Sequence, residues 1–265
     1  MKRYLLLAAS DDRRPLLQLC IRSIKTYLKG WTLVFTAQRF DPSEGYLEAL
    51  CDGIPHKLFY QAERMGAHNA KMIGLDWIHA DAAGGRYVVA SIDDDMEFKP
   101  ETDFEPAVTI CTEKGVGFVT GNWCQHEGFY EKRRNSLKNE FIPQPIVYTA
   151  GGMLFDNEMA DRVRAIGSGD YLCDNSEWSL VAYLSGHVNY RYRGSLCIHR
   201  VLGSGGRREW LGQAERILPD PTLLPFQPSK VGFQGKNKWR IGTSKDLTPR
   251  AHEIHRRERQ KLMEG

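Results

Sequence analysis

Residues 86–98 read RYVVASIDDDMEF, an apolar, β-branched run that stops at Asp93, Asp94 and Asp95. A short run rich in Val, Ile and Tyr predicts a buried strand. Three like charges at the end of such a strand repel one another and lose hydration as water is excluded. Either they are protonated or a positive charge sits among them. A divalent cation meets that need, because Mg²⁺ and Mn²⁺ favour carboxylates and also hold substrate phosphates. In α/β proteins the carboxyl end of a strand is also where ligands collect. The expectation is a metal–diphosphate site with Asp93 and Asp95 as ligands. Asp94, its neighbour on an extended segment, would face the other way, toward a ribose or a nearby loop. The rival reading is an acidic turn capping the next helix, but an apolar run leading straight into the acids argues against it.

The flanking sequence alternates strand and helix signals. A buried strand is expected at 4–9, then a helix over 15–28 with apolar residues at 17, 20, 21, 24 and 28 and Pro15 in its first turn. A second strand follows at 31–36. Asp41, Pro42 and Glu44 then read as cap, first helical position and capping-box acid before a helix over 46–51. Further helices are expected at 67–79 and 101–114, with a strand at 116–120. Residues 121–146 break the pattern with aromatics, a basic cluster and prolines. The expected remainder is a strand at 147–155, helices at 157–166 and 175–185, and two short strands at 188–193 and 195–199. This order predicts an α/β fold with a mainly parallel central sheet flanked by helices. No GxGxxG follows the first strand, which disfavours a classical dinucleotide fold.

Residues 1–200 are expected to form one domain and 201–265 a basic extension, with a helix from Thr248 and Pro249 to about Leu262. Charge supports that division. Residues 1–186 hold 20 Lys/Arg against 26 Asp/Glu, whereas 187–265 hold 16 against 7. The basic third points to an anionic partner, or to a solvated tail. The six cysteines show no CxxC pair and lie in apolar segments, as expected for reduced core residues of a cytoplasmic protein. No apolar run is long enough to span a bilayer. The opening MKRYLLLAAS is too short in its apolar part for a secretory leader and reads as the first strand.

The N-terminal LLLAASDDRR, the helix GAHNAKMIGLDWI, the strand end SIDDDMEF, the strand TAGGMLF, the segment CDNSEWSLVAYLSGH and the strand end LCIH together resemble the GT-A class of nucleotide-sugar glycosyltransferases over roughly residues 3–200. The resemblance implies a metal bound at an Asp-x-Asp element, here Asp93 and Asp95, with a strand-terminal histidine, His199, as third ligand. It implies Mn²⁺ or Mg²⁺ and a nucleoside-diphosphate sugar, expected to be a UDP-sugar. Ala9, Ser10 and Arg13 would meet the nucleotide, Lys71 would stand in for a family arginine, and an acid near the start of a late helix would be the base. That position falls on Asp174 or Glu177, and the family's Glu-Asp-x-Asp reads Asp174-Asn175-Ser176-Glu177 here. The layout, with its basic C-terminal arm, also looks like the phage glycosyltransferases that modify hydroxymethylated pyrimidines in DNA, which implies a DNA acceptor.

Residue chemistry fits these roles but also simpler ones. Neutral imidazole binds such metals, and Gly203 to Arg208 would fold over a diphosphate with Arg207 offering a guanidinium fork. An ordinary surface histidine and loop is the plain alternative. Asp174 with Glu177 is equally a capping box. Trp123, Phe129, Tyr130, Arg133 and Arg134 suit an acceptor surface, or a plain aromatic loop. His252 and His255 read as surface residues. Rival functions are a nucleotidyltransferase, a glycosyltransferase acting on saccharide or protein, and a DNA-binding module.

Overall fold

In the computed structural model, strand β1 (Lys2–Ser10) turns alternate residues to opposite faces, and both faces are covered. Leu5, Leu7 and Ala9 join one core cluster, while Tyr4 and Leu6 join another. Burial on both sides is why the strand reads as a continuous apolar run without alternation. The structure describes residues 1–144, 147, 151–166, 178–179, 182–183 and 185–200, with two short paired strands at Phe233–Gln234 and Lys238–Trp239.

Helix α1 (Arg14–Tyr27) packs Leu17, Cys20, Ile21 and Ile24 onto the first face, an i, i+3, i+4, i+7 stripe. Strand β2 (Thr32–Gln38), helix α2 (Tyr46–Cys51), strand β3 (His56–Gln61), helix α3 (Ala67–Ala82) and strand β4 (Tyr87–Asp93) follow. Leu75 and Ile78 of α3 pack on the second face. Then come β5 (Met96–Glu97), α4 (Glu105–Cys111), β6 (Val116–Cys124), α5 (Glu127–Arg134), β7 (Phe141–Gln144), β8 (Met153–Asp156), α6 (Asn157–Ile166) and β9 (Val188–His199). The sheet order is β3-β2-β1-β4-β8-β6-β9-β5, with β7 also on β9. The long ladders, β3 to β2, β2 to β1, β1 to β4 and β6 to β9, are parallel; β8 enters antiparallel between β4 and β6. The α/β class with a mainly parallel sheet flanked by helices is therefore the observed one.

Several elements differ from the sequence reading. Strand β3 is an additional edge strand, and its half-exposed HKLFYQ gives little periodic signal. Helix α4 begins at Glu105 rather than 101, because Glu101 and Thr102 are engaged by Leu196 of β9. The expected irregular stretch 121–146 holds the end of β6, helix α5 and strand β7. Residues Asn122–Cys124 stay in the sheet by pairing Leu196–Ile198 across a register shift. Strand β8 starts only at Met153, after Gly151 and Gly152. The two expected short strands are one, β9, and Gly194 lies inside it because the Tyr192 ring leans over its Cα. Asp41 caps a 3-10 turn at Pro42–Glu44, and Glu44 pairs with Arg14 at 2.8 Å instead of closing a capping box on α2. Of the expected helix over 175–185, residues 178–179 and 182–183 are helical, Ser185 is already in the turn that follows, and the rest lies outside the described residues.

Candidate metal and nucleotide site

The strand order reverses at β1, with β2 and β3 on one side and β4 on the other. Such a switch point opens a crevice at the carboxyl ends of the strands. In parallel register Ala8 lies opposite both Thr36 and Asp93, so the ends of β1, β2 and β4 finish level. A pocket of about 130 Å³ sits there, bounded by Ser10, Gln38, Arg64, Lys71, the three aspartates and His199.

The aspartates occupy a tight turn, with Asp93 ending β4 and Met96 opening β5. Because the chain turns, Asp94 does not face away; all three acids line the pocket. Strand β5 then pairs antiparallel with β9, setting Met96 opposite His199. That pairing carries a histidine more than a hundred residues distant back onto the turn. His199 Nε2 lies 3.1 Å from Asp95 Oδ1 and 3.7 Å from Asp93 Oδ2. One donor atom from each of Asp93, Asp95 and His199 falls within 4.8 Å of the others.

The chain's own cations surround the acids. Arg13, presented by the 3-10 turn after β1, spans two carboxylates: Nη1 to Asp94 Oδ1 at 2.8 Å and Nη2 to Asp95 Oδ2 at 2.6 Å. Lys71 is buried in α3 and reaches Asp93 Oδ1 at 3.2 Å. Burial pushes the Asp94 carboxyl up to about 7; Arg13 opposes this, and Asp95 and Asp93 add to it. Burial alone would lower His199, but the Asp93 and Asp95 carboxylates beside its ring outweigh that and push it up to about 10. A protonated imidazole thus neutralises part of the acid charge.

These groups fit a divalent cation. Asp95 Oδ1 is buried and has no hydrogen-bond partner among the described residues, and the contact from His199 is close without being aligned for one. Two carboxylates and one imidazole form a donor set suited to Mn²⁺ or Mg²⁺. Ser10 Oγ, also on the pocket wall, is likewise buried without a partner among the described residues.

The structure brings Ala9, Ser10, Arg13, Lys71, Asp93, Asp94, Asp95 and His199 to one pocket. Asp174, Glu177, Arg207, His252 and His255 lie outside the described residues. Trp123 stands edge-on to the His199 ring, with centroids 5.6 Å apart, and its carbonyl accepts from Arg133 at 2.8 Å. Phe129 is exposed, its ring tilted against His126 with centroids 4.3 Å apart. Tyr130, expected at an acceptor surface, is instead buried beneath Lys99, so its ring faces the interior. Arg134 is half-exposed and pairs with Glu131 at 3.1 Å. Gln38 and Arg64 were not anticipated. Gln38 ends β2, and a polar residue closing a buried strand is the signal that finds it.

The class defined by this architecture is the GT-A type α/β fold. Among solved structures, the chain is similar to S. aureus TarS 1–349 (11% identity, TM-score 0.54, covering 76% of this chain and 60% of that one). It is also similar to GalNAc-T7 with UDP, GalNAc and Mn²⁺ (16%, 0.55, 77% and 45%). A third is the mannosyltransferase PcManGT from Pyrobaculum calidifontis in complex with GDP-Man and Mn²⁺ (14%, 0.55, 100% and 75%). At these identities the likeness establishes the fold. The match spans less than two thirds of the first two proteins. No protein-family model and no curated protein matches the sequence.

Proposed function

We propose that this chain is a metal-dependent glycosyltransferase that moves a hexosyl group from a nucleoside-diphosphate sugar, expected to be a UDP-sugar, to an acceptor hydroxyl. The observation that carries the reading is the convergence of Asp93, Asp95 and His199 within 4.8 Å at the switch-point crevice. The proteins sharing the fold support it, since two were solved with a nucleotide or nucleotide sugar and Mn²⁺.

Asp93, Asp95 and His199 would hold the cation. When bound, Mn²⁺ or Mg²⁺ supplies positive charge for the departing diphosphate. Arg13 and Lys71 flank the same carboxylates and add fixed charge beside the diphosphate. Asp94 keeps Arg13 at the pocket floor, and Ser10 Oγ with the Ala9 backbone meets the nucleoside. Arg207 would close over the diphosphate. Asp174, with Glu177 as the alternative, takes the proton from the acceptor hydroxyl. The acceptor oxygen bonds to the anomeric carbon as the bond to the diphosphate breaks, inverting the configuration. Residues 1–200 would carry the metal ligands and the base, and 201–265 would form a basic appendage that contributes Arg207.

One experiment tests the reading. The protein is incubated with Mn²⁺ and a panel of nucleotide sugars, and released nucleoside diphosphate is measured with saccharide, peptide or hydroxymethylated DNA as acceptor. Metal-dependent release is expected, with Asp95→Ala abolishing it while the melting curve stays cooperative. Failure to bind or turn over any nucleotide sugar would overturn the reading. Release stimulated by hydroxymethylated DNA alone would establish the DNA acceptor. Pyrophosphate release from a nucleoside triphosphate would favour a nucleotidyltransferase.

A further inference from the structure

Strand β5 is two residues long, yet its pairing with β9 is what returns His199 to the aspartate turn. A ladder this short is a weak hold on a metal ligand, since even a complete isolated hairpin is marginal in water. Further contacts reinforce it. One residue beyond His199, the Arg200 backbone N–H donates to the Asp95 carbonyl at 2.7 Å. Glu97 lies opposite Ile198, so Arg200, two residues on, is its diagonal neighbour across the ladder. The Arg200 guanidinium bonds the Glu97 carboxylate through both Nε and Nη2.

That pair belongs to a closed ring of charges. Lys99 Nζ reaches the other Glu97 oxygen at 2.6 Å and Glu127 Oε1 at 2.8 Å, and Arg200 Nη2 reaches the same Glu127 oxygen at 3.2 Å. Two acids and two bases alternate, so the ring is neutral. The Glu97 and Lys99 side chains are each 17% exposed, whereas Glu127, in the first turn of α5, is 51% exposed. Shielded, charge-assisted bonds are the strong ones, and pairs open to water contribute little. Glu97 is therefore the inner member that holds the ring together. None of the four lines the metal pocket.

We propose that Glu97 is a positioning residue for the metal site: by holding Arg200 it fixes the end of β9, so that the His199 imidazole stays aimed at Asp93 and Asp95. This rests on the reading of those three residues as metal ligands. Groups that orient a ligand without touching the metal change affinity about 10- to 100-fold when removed.

The test uses the full chain and Mn²⁺, with and without UDP or GDP, and reads metal affinity from the free Mn²⁺ signal in electron paramagnetic resonance. Glu97→Ala and Arg200→Ala are each expected to weaken Mn²⁺ binding about tenfold. The two changes alter net charge in opposite directions. A purely electrostatic influence on the cation would therefore weaken binding in Glu97→Ala and strengthen it in Arg200→Ala. The double variant is expected to lose no more than either single one, because both break the same contact. Glu97→Gln keeps an acceptor for the guanidinium and is expected to lose less than Glu97→Ala; it also serves if the alanine variant fails to melt cooperatively. Glu127→Ala, which opens the outer side of the ring, is expected to stay within about twofold of the parent. Unchanged affinity in Glu97→Ala and Glu97→Gln would overturn the role. So would opposite effects of the two single variants, additive losses in the double variant, or an equal loss in Glu127→Ala, which is the pattern of general loosening. A parent protein that binds no Mn²⁺, with or without nucleotide, would instead remove the metal site itself, and the role of Glu97 with it.

Discussion

The charge problem posed by three adjacent aspartates is met by side chains from three distant parts of the chain. Arg13 follows the first strand, Lys71 comes from α3 and His199 ends β9. Asp93, Asp95 and His199 are legible in the sequence because charged or metal-binding groups end apolar runs. Gln38 shows the same signal at the end of β2, whereas Arg64 escapes notice because only the fold brings it to the pocket. The two raised groups predict a pH dependence. Asp94 rises from its ordinary 3.8 to about 7 through burial, which Arg13 only partly offsets, whereas burial works against His199 and the neighbouring Asp93 and Asp95 carry it from 6.5 up to about 10. A group raised on folding contributes stability that is complete below its unfolded value and lost as pH rises through its folded value. Above the acid range in which the lowered Asp41, Asp81 and Glu97 titrate, the metal-free protein should therefore melt at progressively lower temperature as pH increases, with the Asp94 contribution lost by about pH 7 and that of His199 by about pH 10. His199→Gln is expected to flatten the upper part of that curve, and Mn²⁺ to raise it by replacing the proton. Thermal melts at stepped pH, with and without EDTA, check both; an unaltered upper slope in His199→Gln would refute the assignment.

At the level of elements, length and partner decide what the sequence reveals. Helix α1 announces itself through its apolar stripe, as do β1 and β4 through theirs. Strands β3 and β7 are short and half-exposed, and are defined by pairing with β2 and β9. Helix α5 did carry a signal, with Glu127 in its first turn and Lys132, Arg133 and Arg134 in its last, matching the helix dipole. The strand expected at 147–155 includes Gly151 and Gly152, whereas Gly151 serves a close crossing of backbones. A Cβ there would collide with the Gly121 carbonyl of β6. Backbone cannot move aside as a flexible side chain can, so Gly151→Ala should destabilise by about 1–3 kcal/mol. Urea unfolding measures this directly, and a loss of only a few tenths would show that the crossing relaxes.

For the whole molecule, the functional crevice follows from strand order. The chain adds β2 and β3 to one side of β1, then crosses to place β4 on the other, and the pocket opens where that direction changes. Strand β9 pairs with β6, β5 and β7 and ends at His199, so the main sheet is complete by residue 200. A fragment of residues 1–200 is accordingly expected to unfold cooperatively, with a melting temperature within about 5 °C of the full chain, since changes of that size correspond to about 1–2 kcal/mol. Loss of a cooperative transition in the fragment would assign residues 201–265 a structural role. Local composition determined the α/β alternation, the buried strands and the cluster of acids, because burial and hydrogen-bond periodicity act over a few neighbouring residues. Strand order, the antiparallel entry of β8 and the return of His199 to the aspartate turn were decided only in three dimensions, because pairing between distant strands depends on which edges remain open once the nearer elements have packed.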